Sequence, residues 1–282
     1  MQLIVNADDF GLTRGVNQGI LDCFLAGSVT SATLMVNMPA TGDAVSIAEA
    51  NPGLGVGLHF NLTLLEPVSN AKGLPLDAQG QFLPRSACEK AILMRRVTRA
   101  AIAEEFAAQL ARFRTFGIPL SHVDSHQHIH MMPAVYDVLA EACRREGIPL
   151  RMPWVWSGRA HKQPLRRLVR SMLLRALVTR NHLRWRTGLA RNAGFGSLFD
   201  LVSGPEQIDL AAYRELLSQV TSSGQPFELM VHPAIVDEQL RGFTRITDYS
   251  RAEHAVLSGE GFRQLTADLG FELVSYRQAK LT

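Results

Sequence analysis

The sequence predicts an α/β fold in which parallel strands close into a barrel. Three observations carry that expectation. Short apolar runs alternate with helix-like stretches along the chain, the pattern of strands joined by crossover helices. Polar clusters follow or end those runs on the C-terminal side, the rim at which parallel barrels and open sheets build their sites. Seven or so such runs in 282 residues favour closure over a doubly wound sheet.

The elements run in order along the chain. "LIVNADD" precedes a helix-like stretch over 14–26, and "SATLMVNMP" precedes another over 41–50. "LGVGLHFNL" leads into a Gly/Pro-containing loop (66–85) and a helix-like 97–116. "LSHVDSHQH" precedes 134–146, which opens after Pro133, and proline is favoured in the first helical turn. "PLRMPW" enters a basic stretch, and "FELMVHPA" and "GFELVSY" supply two late strands. The chain reads as a single catalytic domain over 1–282, with a basic helical insertion at about 157–195.

Composition narrows the function classes. Hydrophobic residues make up 46%, enough for a large core, and no run of about 18 apolar residues marks a membrane span. The N-terminus enters a strand pattern with no signal-peptide pattern visible. Cys23, Cys88 and Cys143 are odd in number and lack CxxC spacing, so reduced thiols in a cytoplasmic protein are expected. No GxGxxG or GxxxxGK[ST] follows a strand, which removes support for nucleotide binding. The net charge of +3 conceals a segregation, because no acidic residue lies between Glu146 and Asp200 whereas 11 basic ones do.

The chemistry concentrates in two stretches, "NADDFG" and "HVDSHQHIHM". His126, His128 and His130 at spacing 2, with His122 four residues earlier, share one face if the strand runs on through them. A strand advances roughly 6.6 Å per two residues, so one or two near its end are candidate metal ligands and the rest are orienting or substrate groups. His59, in "GLHFN", offers a nitrogen from another strand. Two histidines, one carboxylate and open positions suit a catalytic metal ion. Of the adjacent aspartates, one then coordinates the ion, whose charge offsets their repulsion, and the other accepts a proton from water. His232, before a proline, suits protonation of a leaving group. Arg151 is placed to pair with a carboxylate, and Trp154 and Trp156 to stack on sugar rings.

In their order and spacing, "NADDFG", "GLHFNL", "HVDSHQHIHM" and "MVHPA" resemble the YdjC-like carbohydrate deacetylase family, which includes chitooligosaccharide deacetylases. The resemblance implies a deformed (β/α) TIM-like barrel of the polysaccharide-deacetylase kind. It also implies a metal-dependent hydrolase that removes the N-acetyl group from an N-acetylglucosamine-type sugar and releases acetate. Carried over residue by residue, Asp9, His59 and His126 are the metal ligands, Asp8 the base and His232 the general acid. Arg151, Asn61, Asp124, His128 and Trp154 are the substrate-binding candidates. Magnesium is the ion implied, although two imidazoles also suit zinc. Relatives make a homodimer an expected partner state.

Two other classes fit part of the pattern. A metal-dependent phosphoesterase or amidohydrolase on a similar barrel predicts a second metal and more acidic ligands. A non-catalytic carbohydrate-binding protein needs no complete base, metal and acid set. The basic segment suggests an amphipathic helix ("LRRLVRSMLLRALV", 165–178), either packed as a lid or touching an anionic membrane or lipid-linked sugar. Nucleic acid is not expected, because no aromatic residues interleave with the charge in a base-stacking pattern.

Overall fold

The computed structural model describes residues 1–154, 165–199, 201–221 and 226–281, with no side chains described for 165–171. Seven strands occur among the described residues: β1 (Gln2–Phe10), β2 (Ser31–Leu34), β3 (Gly55–Phe60), β4 (Leu120–Ser125), β5 (Gly194–Gly196), β6 (Phe227–Val231) and β7 (Glu272–Leu273). They pair in the order β4-β3-β2-β1-β6-β5, with β7 joining the start of β1. Every pairing between these strands is parallel.

Helices fill the crossovers: α1 (Arg14–Leu25), α2 (Thr41–Ala50), α3 (Arg85–Leu93), α4 (Arg99–Thr115), α5 (Pro133–Glu146), α6 (Leu165–Arg184) and α7 (Leu210–Ser218). Three more, α8 (Glu238–Phe243), α9 (Thr247–Leu257) and α10 (Glu260–Asp268), lie between β6 and β7. The central strands carry near-continuous apolar runs because both faces are covered: Leu3, Ile4, Val5 and Ala7 of β1 are all fully buried. Thr13, Thr98, Asp209 and Asp237 cap helix starts by accepting a backbone N–H, and Gly147 ends α5 in the left-handed region.

Closure is incomplete as a ladder, which makes the barrel deformed. Edges β4 and β5 are bridged by the segment around Arg151. Leu150 forms one parallel bridge to Val123, and its N–H reaches Ala190 O at 2.9 Å. Asn192 then holds both the N–H and the carbonyl of Met152, at 2.7 and 3.0 Å. The seam thus brings Arg151 into the barrel interior, where it is fully buried.

Close approaches at two glycines set the interior. A Cβ at Gly57 would lie 2.5 Å from the His122 ring, which stacks on Tyr276 at 3.6 Å. A Cβ at Gly19 would lie 2.6 Å from Ala234 Cα, so only glycine lets α1 press against the loop after β6 that carries His232.

Three expectations from the sequence change. The four-histidine run does not continue as a strand: β4 ends at Ser125, and His126–Met131 form a 3₁₀ turn containing Gln127 (φ 53°) and His128 (φ 54°). Two left-handed residues in succession swing the later histidines off a common face, so His128 and His130 do not line up with His126. Helix α3 closes the loop expected over 66–85, and α8 to α10 are an addition. The stretch 155–164, with Trp156, lies outside the described residues, so the described part of the expected insertion begins with α6. No helix among the described residues is long and apolar enough to cross a membrane. All three cysteines are buried free thiols, and burial raises their pKa.

Candidate metal centre and active site

The strand ends converge as the polar clusters predict. Asp8 and Asp9 come from the end of β1, where the pairing register with β2 shifts between Ala7 and Phe10. Asp9 sits there at φ 67°, a strained conformation of the kind that collects at functional sites. His59 comes from β3, Asp124 from β4, His126 from the turn after it, and His232 from just beyond β6.

At this rim one Asp9 oxygen faces a ring nitrogen from each of two histidines. Asp9 Oδ1 lies 3.3 Å from His59 Nε2 and 3.8 Å from His126 Nε2. The far nitrogen of each ring is held: His59 Nδ1 lies 2.6 Å from Asp124 Oδ1, and His126 Nδ1 lies 2.8 Å from the Thr63 hydroxyl. Such partners fix which nitrogen is presented forward. His59 Nε2 is buried and makes no hydrogen bond. Burial opposes a charged His59, but Asp124, Asp9 and Asp8 outweigh it and raise its pKa to about 10 in the metal-free chain. Asp9 is likewise opposed by burial, yet the two histidines lower it to about 2.

Behind these atoms lies an ion cluster around Arg151. Its guanidinium meets both oxygens of Asp8 at 2.7 Å, Asp124 Oδ2 at 2.6 Å, and Glu228 Oε1 at 2.6 Å and 2.8 Å. Asn6 and Thr33 add hydrogen bonds to Asp8 Oδ1 at 2.9 and 3.5 Å. Burial would raise Asp8, but Arg151 holds it well below the usual carboxylate range. Glu228, also bonded by the Tyr276 hydroxyl, is pushed up to about 7 by burial.

The metal question turns on these partners. Asp8, His59 and Asp124 each offer a ligand atom within 4.8 Å of the others, and this buried group has donors for a metal ion. Arg151, however, contacts both of those carboxylates, so an ion there would face a guanidinium. Among the described residues the trio of Asp9, His59 and His126 has no arginine or lysine contact, and a nitrogen of each ring lies near one Asp9 oxygen.

The remaining candidates divide by exposure. Asn61, Asp124 and Arg151 are fully buried, and their polar atoms serve protein partners instead of facing a substrate. Asn61 organises the loop after β3, accepting from the Thr63 and Leu64 N–H groups at 3.0 and 3.1 Å. That loop is braced by Gln109 and Glu105 of α4, and so α4 supports Thr63 and through it His126. His128 has a buried Nδ1 without a partner and lies 5.5 Å from the Phe195 ring. Trp154 is partly exposed, donates to Asn192 O at 3.2 Å and packs on His182.

His232 has a buried, unpartnered Nδ1, and its backbone N–H donates to Glu253 Oε2 at 2.5 Å. Glu253, on α9, is raised to about 7 by burial. Sequence reasoning missed Glu253, Glu228, Thr63 and Tyr276. Glu228 left a trace, a charged residue inside the apolar run "FELMV". Glu253 left none, because a glutamate on a helix is ordinary.

The buried histidines predict acid sensitivity. Burial lowers His122 and His128 well below 6.5, His126 to about 4 and His130 to about 3. The unfolded chain protonates all four below about 6.5, so the unfolded state binds more protons and stability is lost as pH falls. Glu228 and Glu253, raised to about 7, bind protons on folding and offset two of these. His59 is protonated in both states below 6.5 and adds no slope. The unfolded chain thus binds more protons than the folded one in this range, and acid destabilises the fold. Urea unfolding of the chelated protein should therefore show stability dropping steadily from pH 6.5 to about 4.5. A flat profile over that interval would show that these rings are accessible to protons.

The comparisons with known proteins identify the family. The profile of the YdjC-like protein family matches residues 2–268. A carbohydrate deacetylase of Geobacillus stearothermophilus is 35% identical over 275 residues, covering 98% of this chain and 96% of that protein. A chitooligosaccharide deacetylase of Proteus mirabilis is 32% identical over 282 residues, covering 98% and 97%. Among solved structures, a candidate cellobiose-phosphate cleavage protein of Enterococcus faecalis is 25% identical with a TM-score of 0.80, covering 98% of this chain and 97% of that one. With nearly its whole length matched, this chain belongs to the YdjC-like protein family.

Proposed function

We propose that this chain is a carbohydrate deacetylase, a metal-dependent hydrolase that removes the acetyl group from an N-acetylated amino sugar of the N-acetylglucosamine type. The similarity to carbohydrate and chitooligosaccharide deacetylases supports the reaction class. The observation that carries it is the approach of Asp9 Oδ1 to His59 Nε2 and His126 Nε2, at 3.3 and 3.8 Å. In the metal-free chain His59 holds a proton against Asp9, and a cation held by Asp9, His59 and His126 would take that proton's place. The ion is magnesium by the family resemblance, while the two-imidazole donor set also fits zinc. When bound, it supplies positive charge that polarises the acetamide carbonyl and acidifies a water.

The side chains around it do the rest. Asp8, fixed and ionised by the Arg151 fork, takes the proton of the attacking water. Its low basicity is offset by the acidity that the water has gained. The water oxygen bonds to the carbonyl carbon, and the carbon–nitrogen bond then breaks. His232 gives its proton to the departing amine, yielding acetate and an amino sugar. Arg151 and Asp124 act by orienting Asp8 and His59, which leaves His128 and Trp154 to contact the sugar.

One observation favours a second reading of the base: both Asp8 oxygens are taken by Arg151, which would leave His232 to handle the proton alone. Asp8→Asn separates the two. If Asp8 is the base, turnover falls about a hundredfold or more with metal content unchanged, whereas near-normal turnover moves the base role to His232. The function itself is tested by acetate release from N-acetylglucosamine and its oligomers, before and after chelation and after return of magnesium or zinc. Phosphate release from sugar phosphates, with no acetate from any acetylated sugar, would replace the proposal by the phosphoesterase class.

A further inference from the structure

Resting on the general-acid role given to His232, we propose that Glu253 of α9 is the residue that positions it. Glu253 is 1% exposed. Burying a carboxylate is costly, and burial raises this one to about 7. What the carboxylate does in that place is hold the chain on which His232 sits. Its Oε2 accepts the His232 backbone N–H at 2.5 Å, and its Oε1 meets the Tyr213 hydroxyl at 3.5 Å. Short bonds of this kind, from an N–H to a carboxylate, are the strong ones. A second bond from the same helix, Ala234 N–H to Ser250 O at 3.2 Å, grips the loop two residues further on.

His232 needs such a hold because its ring lacks the kind that fixes the two metal-ligand histidines. His59 and His126 each have one ring nitrogen tied, to Asp124 and to Thr63. The Nδ1 of His232 is buried without a hydrogen-bond partner among the described residues. The aim of its ring therefore follows from its backbone. Pro233 disfavours the helical region for His232, and the bond to Glu253 fixes its N–H, so together they set the direction of the side chain. Phe199 borders the imidazole, with its ring centroid 6.1 Å from that of His232 and 5.1 Å from that of Tyr249, which also belongs to α9.

Helix α9 is in turn tied to the strand that carries the aspartates. His254, the residue after Glu253, meets Asp22 of α1 at 2.9 Å. Helix α1 starts from the turn after Asp9, where Leu12 N–H donates to Asp9 O at 3.0 Å, and its Gly15 O accepts from Ile235 N–H at 2.9 Å. The loop bearing His232 is thus clamped between the helix that leaves the Asp8–Asp9 strand end and the helix that carries Glu253. Acid and base keep a fixed separation by this clamp, and misplacing a reacting group by about 1 Å costs about a hundredfold in rate.

Two substrates and two variants of the full chain, at equal metal content, test this. An amide needs a proton delivered to its departing amine, whereas 4-nitrophenyl acetate releases a phenolate that leaves unprotonated. Glu253→Ala is expected to lower acetate release from N-acetylglucosamine oligomers by about ten- to a hundredfold and to leave 4-nitrophenyl acetate hydrolysis within about twofold. Glu253→Gln keeps an acceptor for the His232 N–H and should recover most of the loss. In proton–nitrogen NMR spectra the His232 amide proton should lie far downfield in the parent and in Glu253→Ala move upfield, because the carboxylate acceptor is gone. The role is overturned if both substrates lose equally, if Glu253→Ala turns over the amide as the parent does, or if Glu253→Gln is no better than Glu253→Ala. It is equally overturned by a His232 amide resonance that does not move. No acetate from any acetylated sugar with the parent chain overturns the reaction itself, and this role with it, even where the amide shift is seen.

Discussion

Asp9→Asn is expected to remove the metal ion and lower acetate release on the order of a thousandfold, with the fold intact. The cation contributes several kcal/mol of charge stabilisation, and each 1.36 kcal/mol is about tenfold in rate. Asparagine is the informative substitution because Asp9 sits at φ 67°, and asparagine tolerates the left-handed region better than most residues. Loss of activity then reports the lost carboxylate charge and not a disturbed β1. Elemental analysis of the purified variant supplies the second readout. If Asp9→Asn retains a full equivalent of metal, the ion belongs to the group formed by Asp8, His59 and Asp124, and the rim trio is refuted. As a control, Asp124→Asn should weaken metal binding by about 10- to 100-fold without abolishing it, the usual effect of losing a group that orients a ligand histidine.

Arg151→Met should produce the largest loss of stability of any single substitution at the site. The guanidinium is fully buried and contacts three carboxylates, at 2.7 Å to Asp8 and 2.6 Å to both Asp124 and Glu228. Glu228, raised to about 7, is relieved by taking a proton. Asp8 owes its ionised state to Arg151 itself. Without the guanidinium it is left buried and must either stay charged without its main partner or take a proton against its ordinary preference. Removing one partner of a buried ion cluster costs about 3–5 kcal/mol, a large part of a typical total of roughly 5–15 kcal/mol. A melting temperature lower by about 10 °C or more is expected, on a scale of roughly 2–4 °C per kcal/mol for a chain approaching this size. Arg151→Lys keeps the charge but not the fork and should fall between the two. The double variant Arg151→Met with Asp8→Asn should recover part of the loss, because it removes one stranded charge along with the cation. A melting temperature for Arg151→Met within a degree or two of the parent would mean that water reaches the cluster.

The alternation of strand and helix, the rim location of the polar clusters and the identity of the converging residues were legible in the sequence. Each is a local property: apolar runs mark buried parallel strands, and a polar residue just after such a run falls at the C-terminal end of its strand. The pairing of Asp9 with His59 and His126 came from the family resemblance. The single-face arrangement of the four histidines was not recovered, because it assumed an extended backbone through 126–130, whereas Gln127 and His128 are left-handed. Nothing in a spacing of 2 reveals where a strand stops.

Tertiary structure alone decided the chemistry behind the rim. Arg151 meets Asp8, Asp124 and Glu228 across sequence separations of 143, 27 and 77 residues, and Glu253 reaches the His232 backbone from a helix 21 residues on. Such partners are chosen by which strand ends meet when the sheet curls, a long-range outcome that no local pattern encodes. The sequence named the residues at the rim by their type and place along each strand. Only the closing of the barrel's seam buried Arg151 and tied Asp8 and Asp124 to it, while Asp9 Oδ1 came to lie 3.3 Å from His59 Nε2 and 3.8 Å from His126 Nε2.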